Sequence, residues 1–390
     1  MTTMPFRLNE RAPAHWALRV VGALIVAYIA LSPIFRDLKP SDYGQLVDIA
    51  ILALAALSLN LLLGFTGQIS IGHSAFFGIG AYTLAILVSD HGWSPGWTYP
   101  MAAIVCFVVG VLVGIPALRL KGLYLALVPL ALAQIFPALI RYDEFADFTG
   151  GSAGIDGLNY DAPSWTGLES GRQGRAEWLY WVALATLVLG YILVRNLVKS
   201  RVGRSMIAVR DNTTAASVMG VNVAVTKTVV FGLSAALCGL AGCTFALRQT
   251  QTTPENAYFT ILGAIIFLVV MVIGGTGSLL GPIIGAFIYY RVEEFTRELP
   301  EKTWLPDRVS TFLEGRLNLP TIVFATLLIV LMFIAPFGIV GLAKRLGRRV
   351  VQVIPRPPTG AGPAPAVEMP PPGEVEEDHI TSSPSDIALT

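Results

Sequence analysis

Residues 60–82 read NLLLGFTGQISIGHSAFFGIGAY, which sets Asn60, Thr66, Gln68, Ser70, His73 and Ser74 among Gly64, Gly67 and Gly72 inside an apolar run. Hydroxyls, amides and one imidazole can hydrogen-bond a polar solute, but this set contains no carboxylate and no nucleophile–base pair. Each of the three glycines disfavours a plain helix by about 1 kcal/mol relative to alanine. In hydrocarbon an unpaired backbone group is costly, so a loosened helix at membrane depth must be covered by protein or line a cavity. Two readings follow. In one, residues 64–73 form a broken helix or re-entrant hairpin beside a polar pathway, with Thr66, Gln68 and Ser70 facing the solute. In the other, the glycines let two helices approach closely. GVLVG at 110–114 and GPIIG at 281–285 fit the second reading.

His73 would need a carboxylate beside it to relay protons, and the sequence places no Asp or Glu well inside an apolar run. A structural, hydrogen-bonded histidine is the alternative. Asn60 and Gln134 lie within apolar runs, where an amide faces either the bundle or a cavity. The glycine–threonine–glycine pattern of Gly64, Phe65, Thr66 and Gly67 recurs at Gly274, Gly275, Thr276 and Gly277, just before Ser278. Six spans separate the two, so a duplication would be parallel rather than inverted. A chance match in a glycine-rich chain is the other reading.

The elements that carry these residues follow from composition. Of 390 residues, 54% are hydrophobic and 14% charged, against about 25% charged in soluble domains. Apolar runs of membrane-spanning length recur. The sequence predicts an all-α integral membrane protein of about ten transmembrane helices with glycine-rich breaks, near 16–35, 46–66, 72–89, 98–118, 122–140, 178–196, 228–248, 259–274, 279–296 and 319–341. The run at 16–35 has no A-x-A site and reads as a first span rather than a cleaved signal. Lysine and arginine placement puts both termini in the cytoplasm, although Arg297, Lys302, Arg308 and Arg316 crowd a loop assigned to the outer face.

The expected domain organisation is a cytoplasmic segment 1–15, a transmembrane domain 16–343 and a disordered, proline-rich cytoplasmic tail 344–390. The outer loop 141–177 is expected to fold over the outer mouth. Cys106, Cys238 and Cys243 all fall in apolar runs and suggest packing rather than a disulfide or metal site. No phosphate loop, nucleophile elbow or HExxH helix occurs, so no catalytic set, cofactor or metal site is expected in this chain, and nothing points to nucleic acid.

The cytoplasmic loop 199–227 contains DNTTAASVMG, residues 211–220, with the grammar of a short helix. Asp211 or Asn212 can cap its start and Gly220 can take the left-handed turn that ends it. It is either a docking element braced by basic residues or an ordinary connecting loop. Asn212, Thr213 and Thr214 match a glycosylation sequon, but the orientation places them inside.

LSLNLLLGFTGQISIGHSAFFGIGAYT, GLYLALVPLALAQIF, FTGGSAGIDGL, GRSMIAVRDNTTAASVMGVN and GGTGSLLGPIIGAF together resemble the LivM-type permease of branched-chain amino-acid ABC transporters, from about residue 45 to 341. That resemblance implies import of leucine, isoleucine or valine through the bacterial cell membrane. It also implies a LivH-type permease partner, two ABC ATPase subunits of LivG and LivF types that bind ATP and magnesium, and an extracytoplasmic amino-acid binding protein. Relatives differ in solute, so urea, short amides or other amino acids are alternatives, and an ion-coupled carrier is a different class. The resemblance makes Arg210, Asp211, Asn212, Thr214, Ala215, Ala216 and Gly220 an ATPase coupling helix, with Thr214 where the family pattern has an acid. It makes Asn60, Gly64, Thr66, Gly67, Gln68, Ser70, His73, Gln134, Gly275, Thr276, Gly277 and Ser278 candidates for the substrate pathway. Pro129 departs from the family's usual hydroxyl residue and should kink the fifth span.

Overall fold

The structure, a computed structural model, describes residues 6–9, 39–117, 127–158, 161–168, 171–298, 326, 338–342 and 351–354. The expected spans at 16–35 and 319–341, the loop 299–318 and the tail beyond 354 lie wholly or largely outside these residues. So does 118–126, the start of the fifth expected span, whereas Pro129, the residue expected to kink that span, is described and stands in the first turn of the helix Leu127–Ile140.

Eight longer helices form the bundle: α1 (Pro40–Thr66), α2 (His73–Ser89), α3 (Pro95–Ala117), α4 (Leu127–Ile140), α6 (Arg172–Lys199), α9 (Val223–Gln249), α10 (Ile261–Gly274) and α11 (Gly281–Glu298). Shorter helices α5 (Asp143–Thr149), α7 (Arg201–Asp211) and α8 (Thr213–Val218) lie in the connections. The described residues are thus almost entirely helical. The exception is a parallel pairing of β1 (Phe6–Asn9) with β2 (Val351–Ile354), Phe6 opposite Val351. Four helices, α1, α3, α6 and α9, are long and apolar enough to cross a bilayer.

α1 and α9 run antiparallel through the centre and are mostly buried, while α3 and α6 present apolar side chains outward. Leu112, Leu189 and Leu193 are among these exposed residues, as expected where lipid or a partner takes the place of water. Close crossings need small residues. A Cβ on Gly80 would meet the Gly239 carbonyl oxygen at 2.1 Å, so α2 and α9 touch backbone to backbone. The GVLVG glycine Gly110 likewise faces Gly232 and Ala235 of α9, and Gly285 of GPIIG faces the Val270 carbonyl of α10. An aromatic cluster around Phe77, with Phe245, Phe259 and Phe267, fills the space between α2, α9 and α10.

The observed helices extend past the expected boundaries. α1 starts at Pro40 rather than near 46, and α6 and α9 are likewise longer. α10, with 14 residues, rises only about 21 Å, short of the roughly 30 Å hydrocarbon core. The long loop after α4 is pinned down: Ile155 and Thr252 exchange backbone hydrogen bonds of 3.0 and 2.9 Å, and Leu158 N donates to Thr250 O at 3.1 Å. This lays residues 155–158 across the C-terminal end of α9.

Candidate functional site

The glycine-rich segment 64–73 does break the helix. α1 closes with Gly67 at φ 71°, and two amides fold back onto its last turn: Gly67 N to Leu63 O at 3.1 Å and Gln68 N to Leu62 O at 3.2 Å. The Gly67 bond is the αL closure that glycine permits, and the Gln68 amide folds back further, onto Leu62. Residues 68–72 are non-helical, and α2 begins at His73. The second pattern builds the same feature. α10 ends at Gly274, Gly277 adopts φ 71°, and α11 begins at Gly281.

The two breaks meet in space. Asn60, fully buried in α1, uses both ends of its amide on the second break: Nδ2 donates to Ser278 O at 2.8 Å, and Oδ1 accepts from Gly277 N at 2.8 Å. A Cβ on Gly64 would lie 2.6 Å from Gly277 N and 2.2 Å from Asn60 Oδ1, so glycine is required for this approach. Gly275 is buried and Thr276 is exposed.

Thr66, Gln68, Ser70 and His73 are also buried and bound, whereas the buried Ser74 hydroxyl has no hydrogen-bond partner. Thr66 Oγ1 donates to Leu61 O at 3.1 Å, and Gln68 Nε2 reaches Lys227 O in the first turn of α9 at 3.4 Å. His73, 1% exposed, lies between Ser70 Oγ at 3.0 Å from Nδ1 and Ser234 Oγ at 2.7 Å from Nε2. Ser234 donates its proton to Ser58 O at 2.5 Å. Its oxygen must therefore accept from Nε2–H, which leaves Nδ1 to accept from Ser70. This tautomer runs one directed chain from the break across α2 and α9 to α1. No carboxylate takes part in it. Gly72 packs on Pro129, whose carbonyl oxygen would lie 2.2 Å from a Cβ there. Gln134, by contrast, stands apart from these residues on the exposed face of α4, beside Ile135.

The 199–227 loop contains two helices rather than one. α7 is amphipathic, burying Gly203, Met206 and Val209, and its N-cap Ser200 accepts from Gly203 N at 3.3 Å. Asn212 caps α8 by accepting from Ala215 N at 2.9 Å, and Gly220, φ 84°, follows its end. Ala216 is buried, while Asp211, Thr214 and Ala215 are exposed. Val218 and Met219 protrude, 81% and 82% exposed. Arg210 reaches away from this tip and donates from Nη1 to Gly64 O at 2.9 Å.

The opposite, Pro40 end of the bundle carries charged residues. Asp48 lies on the third turn of α1, paired with Arg248 of α9 at 3.4 Å, and Glu293 and Glu294 lie on α11. Gln45 Nε2 donates to Glu294 Oε1 at 2.8 Å and Arg291 Nη1 to Oε2 at 2.5 Å. Asp48, Glu293 and Glu294 line a cavity of about 280 Å³ together with Ile51, Leu52 and Phe245. Asp48, at the edge of the apolar run 46–66, sits on the third turn of its helix because α1 begins six residues before that run. Arg248 in ALRQTQ and the pair Glu293–Glu294 in YYRVEEFTRE are local signals of charge on helices otherwise read as spans.

A family model described as the permease component of a branched-chain amino acid transport system matches residues 44–336. The permease protein LivM of the high-affinity branched-chain amino acid transport system of Salmonella typhimurium is 34% identical over 285 residues, covering 66% of this chain and 65% of that protein. Its Escherichia coli K12 counterpart is 33% identical over the same shares of both chains. The autoinducer 2 import system permease protein LsrC of Shigella flexneri is 25% identical over 323 residues, 78% of this chain and 86% of the relative. The chain thus spans about 65% of the length of the two LivM proteins it matches. No solved structure matches. The helical bundle, its paired glycine breaks and a match across residues 44–336 have one reading: the chain is a multi-pass membrane protein and belongs to the permease-component family of branched-chain amino acid transport systems.

Proposed function

We propose that this chain is a membrane permease subunit of an ABC importer that carries branched-chain amino acids delivered by an extracytoplasmic binding protein. Energy comes from ATP hydrolysed in two partner ATPases of LivG and LivF types, and a LivH-type permease completes the pore. The observation that carries the reading is the α7–α8 pair, which exposes Val218 and Met219 at its tip and roots Arg210 on the first glycine break. A protruding apolar tip joined to the membrane domain is what an external motor needs.

In this reading about ten spans place both termini in the cytoplasm. Lys199, Arg201, Arg204 and Arg210 put the α7–α8 pair, and the Gly67 end with it, on the cytoplasmic side. The Pro40 end then faces outward, and its cavity is where solute enters. Carboxylates together with apolar side chains suit an ammonium group carried on an aliphatic side chain. The buried polar residues at 60–73 and 275–278 form the closed inner wall of the route, which opens when the breaks part.

Reconstitution tests the proposal. Vesicles holding the chain with its permease partner, ATPases and binding protein should concentrate leucine only when ATP is supplied on the ATPase side. Concentrative uptake without the ATPases would overturn it. A binding protein that retains urea and not leucine in calorimetry would move the solute, but not the class of machine.

A further inference from the structure

We infer that Arg210 is the positioning residue through which the α7–α8 pair holds both glycine breaks together. The inference rests on the importer reading for its consequence, but its geometry stands independently. The left-handed Gly67 at the end of α1 turns the Gln68 amide to Leu62 O, so Gly64 O loses the amide that an uninterrupted helix would offer it. Arg210 Nη1 takes that carbonyl at 2.9 Å. A cation is favoured there because the last turn of a helix carries its negative dipole end.

The guanidinium stands where the two breaks touch. A Cβ on Gly277 would lie 3.4 Å from Gly64 O and 3.7 Å from Arg210 Nη1, and one on Gly67 would lie 3.0 Å from Arg210 Cγ. The glycines thus leave room for the arginine stem on one side and its head on the other. Asp211 Oδ1 holds the opposite edge of the fork, 3.0 Å from both Nε and Nη2. Asn212, next in sequence, caps α8. Three consecutive residues therefore bind the membrane break, orient that bond and anchor the protruding helix. A push on α8 reaches the breaks through Arg210, while Met206 and Val209 keep α7 seated.

Lysine can reach one acceptor but cannot fork between Gly64 O and Asp211, so Arg210→Lys should act partially. Hydrogen–deuterium exchange on the assembled transporter reads the latch directly. In Arg210→Gln, the amides of Gly67, Gln68 and Gly277 should exchange about tenfold faster, as expected for loss of one charge-assisted hydrogen bond. Arg204→Gln, exposed on the same helix, should leave them unchanged. In the same complexes, solute moved per ATP should fall at least about tenfold in Arg210→Gln while ATP hydrolysis persists, with Arg210→Lys intermediate. Unchanged exchange in Arg210→Gln, or equal changes in Arg204→Gln, would overturn the latch. Altered exchange with unaltered solute per ATP would overturn its coupling role. Should the wild-type complex show no ATP-driven uptake, the importer reading fails, and the exchange result still decides whether Arg210 holds the breaks.

Discussion

At the Gly67 end of the bundle, Asn60, Thr66, Ser70 and His73 are buried, and their polar atoms are bound to backbone or to each other. At the Pro40 end, Asp48 and Arg248 keep about a third of their side-chain surface, and Asp48 borders a cavity. Both ends concentrate polar groups that hydrocarbon would exclude, but they answer the cost differently. The first satisfies all but the buried Ser74 hydroxyl internally, as required where no water reaches. The second pairs opposite charges and leaves them partly hydrated. A route that is sealed at one end and receptive at the other has this form.

The contrast can be broken most sharply where packing leaves no room. Gly64→Val would drive its side chain into Asn60 and the Gly277 backbone, a cost of about 3 kcal/mol or more for overpacking. Thermal unfolding in detergent should show it as the largest drop of the series, and a wild-type melting temperature would mean the breaks do not touch. Asn60→Ala removes both hydrogen bonds to the second break and should cost about 2 kcal/mol, with faster exchange at Gly277. Equal protection at Gly277 in both proteins would show that another group holds that amide.

The Pro40 end should respond in the opposite sense, little in stability and more in transport. Asp48→Asn removes a partly exposed ion pair and should cost about 1 kcal/mol or less, while the concentration of leucine needed for half-maximal uptake rises. A large stability loss with unchanged uptake would make Asp48 structural. The control lies outside both regions. Asp161→Asn breaks an exposed pair with Arg175, should shift stability by at most about 0.5 kcal/mol, and should leave uptake alone.

The break itself was legible because glycine and polar residues inside an apolar run contradict a plain helix, and Gly67 and Gly277 carry that contradiction in local sequence. The ends of α8 were legible for the same reason, since Asn212 and Gly220 act on their immediate neighbours. What the sequence hid were partnerships across distance. Asn60 meets residues 217 and 218 positions away, and Arg248 lies 200 positions from Asp48. No periodicity reports such pairs. α7 escaped notice because its buried stripe is only Gly203, Met206 and Val209 among charged residues, too narrow to stand out from a basic loop. Ser58 and Ser234, which complete the His73 chain, look like small packing residues until the fold brings them together.

The account is tested most directly by thiol labelling of the assembled transporter at rest, using a membrane-impermeant reagent on each side. Background should be low because Cys106, Cys238 and Cys243 are all buried. Gln249→Cys, at the cavity, should react from the outer side, whereas Ser70→Cys should resist from both sides and become reactive only during ATP turnover. Labelling of Ser70→Cys at rest as fast as Gln249→Cys would contradict a sealed inner junction.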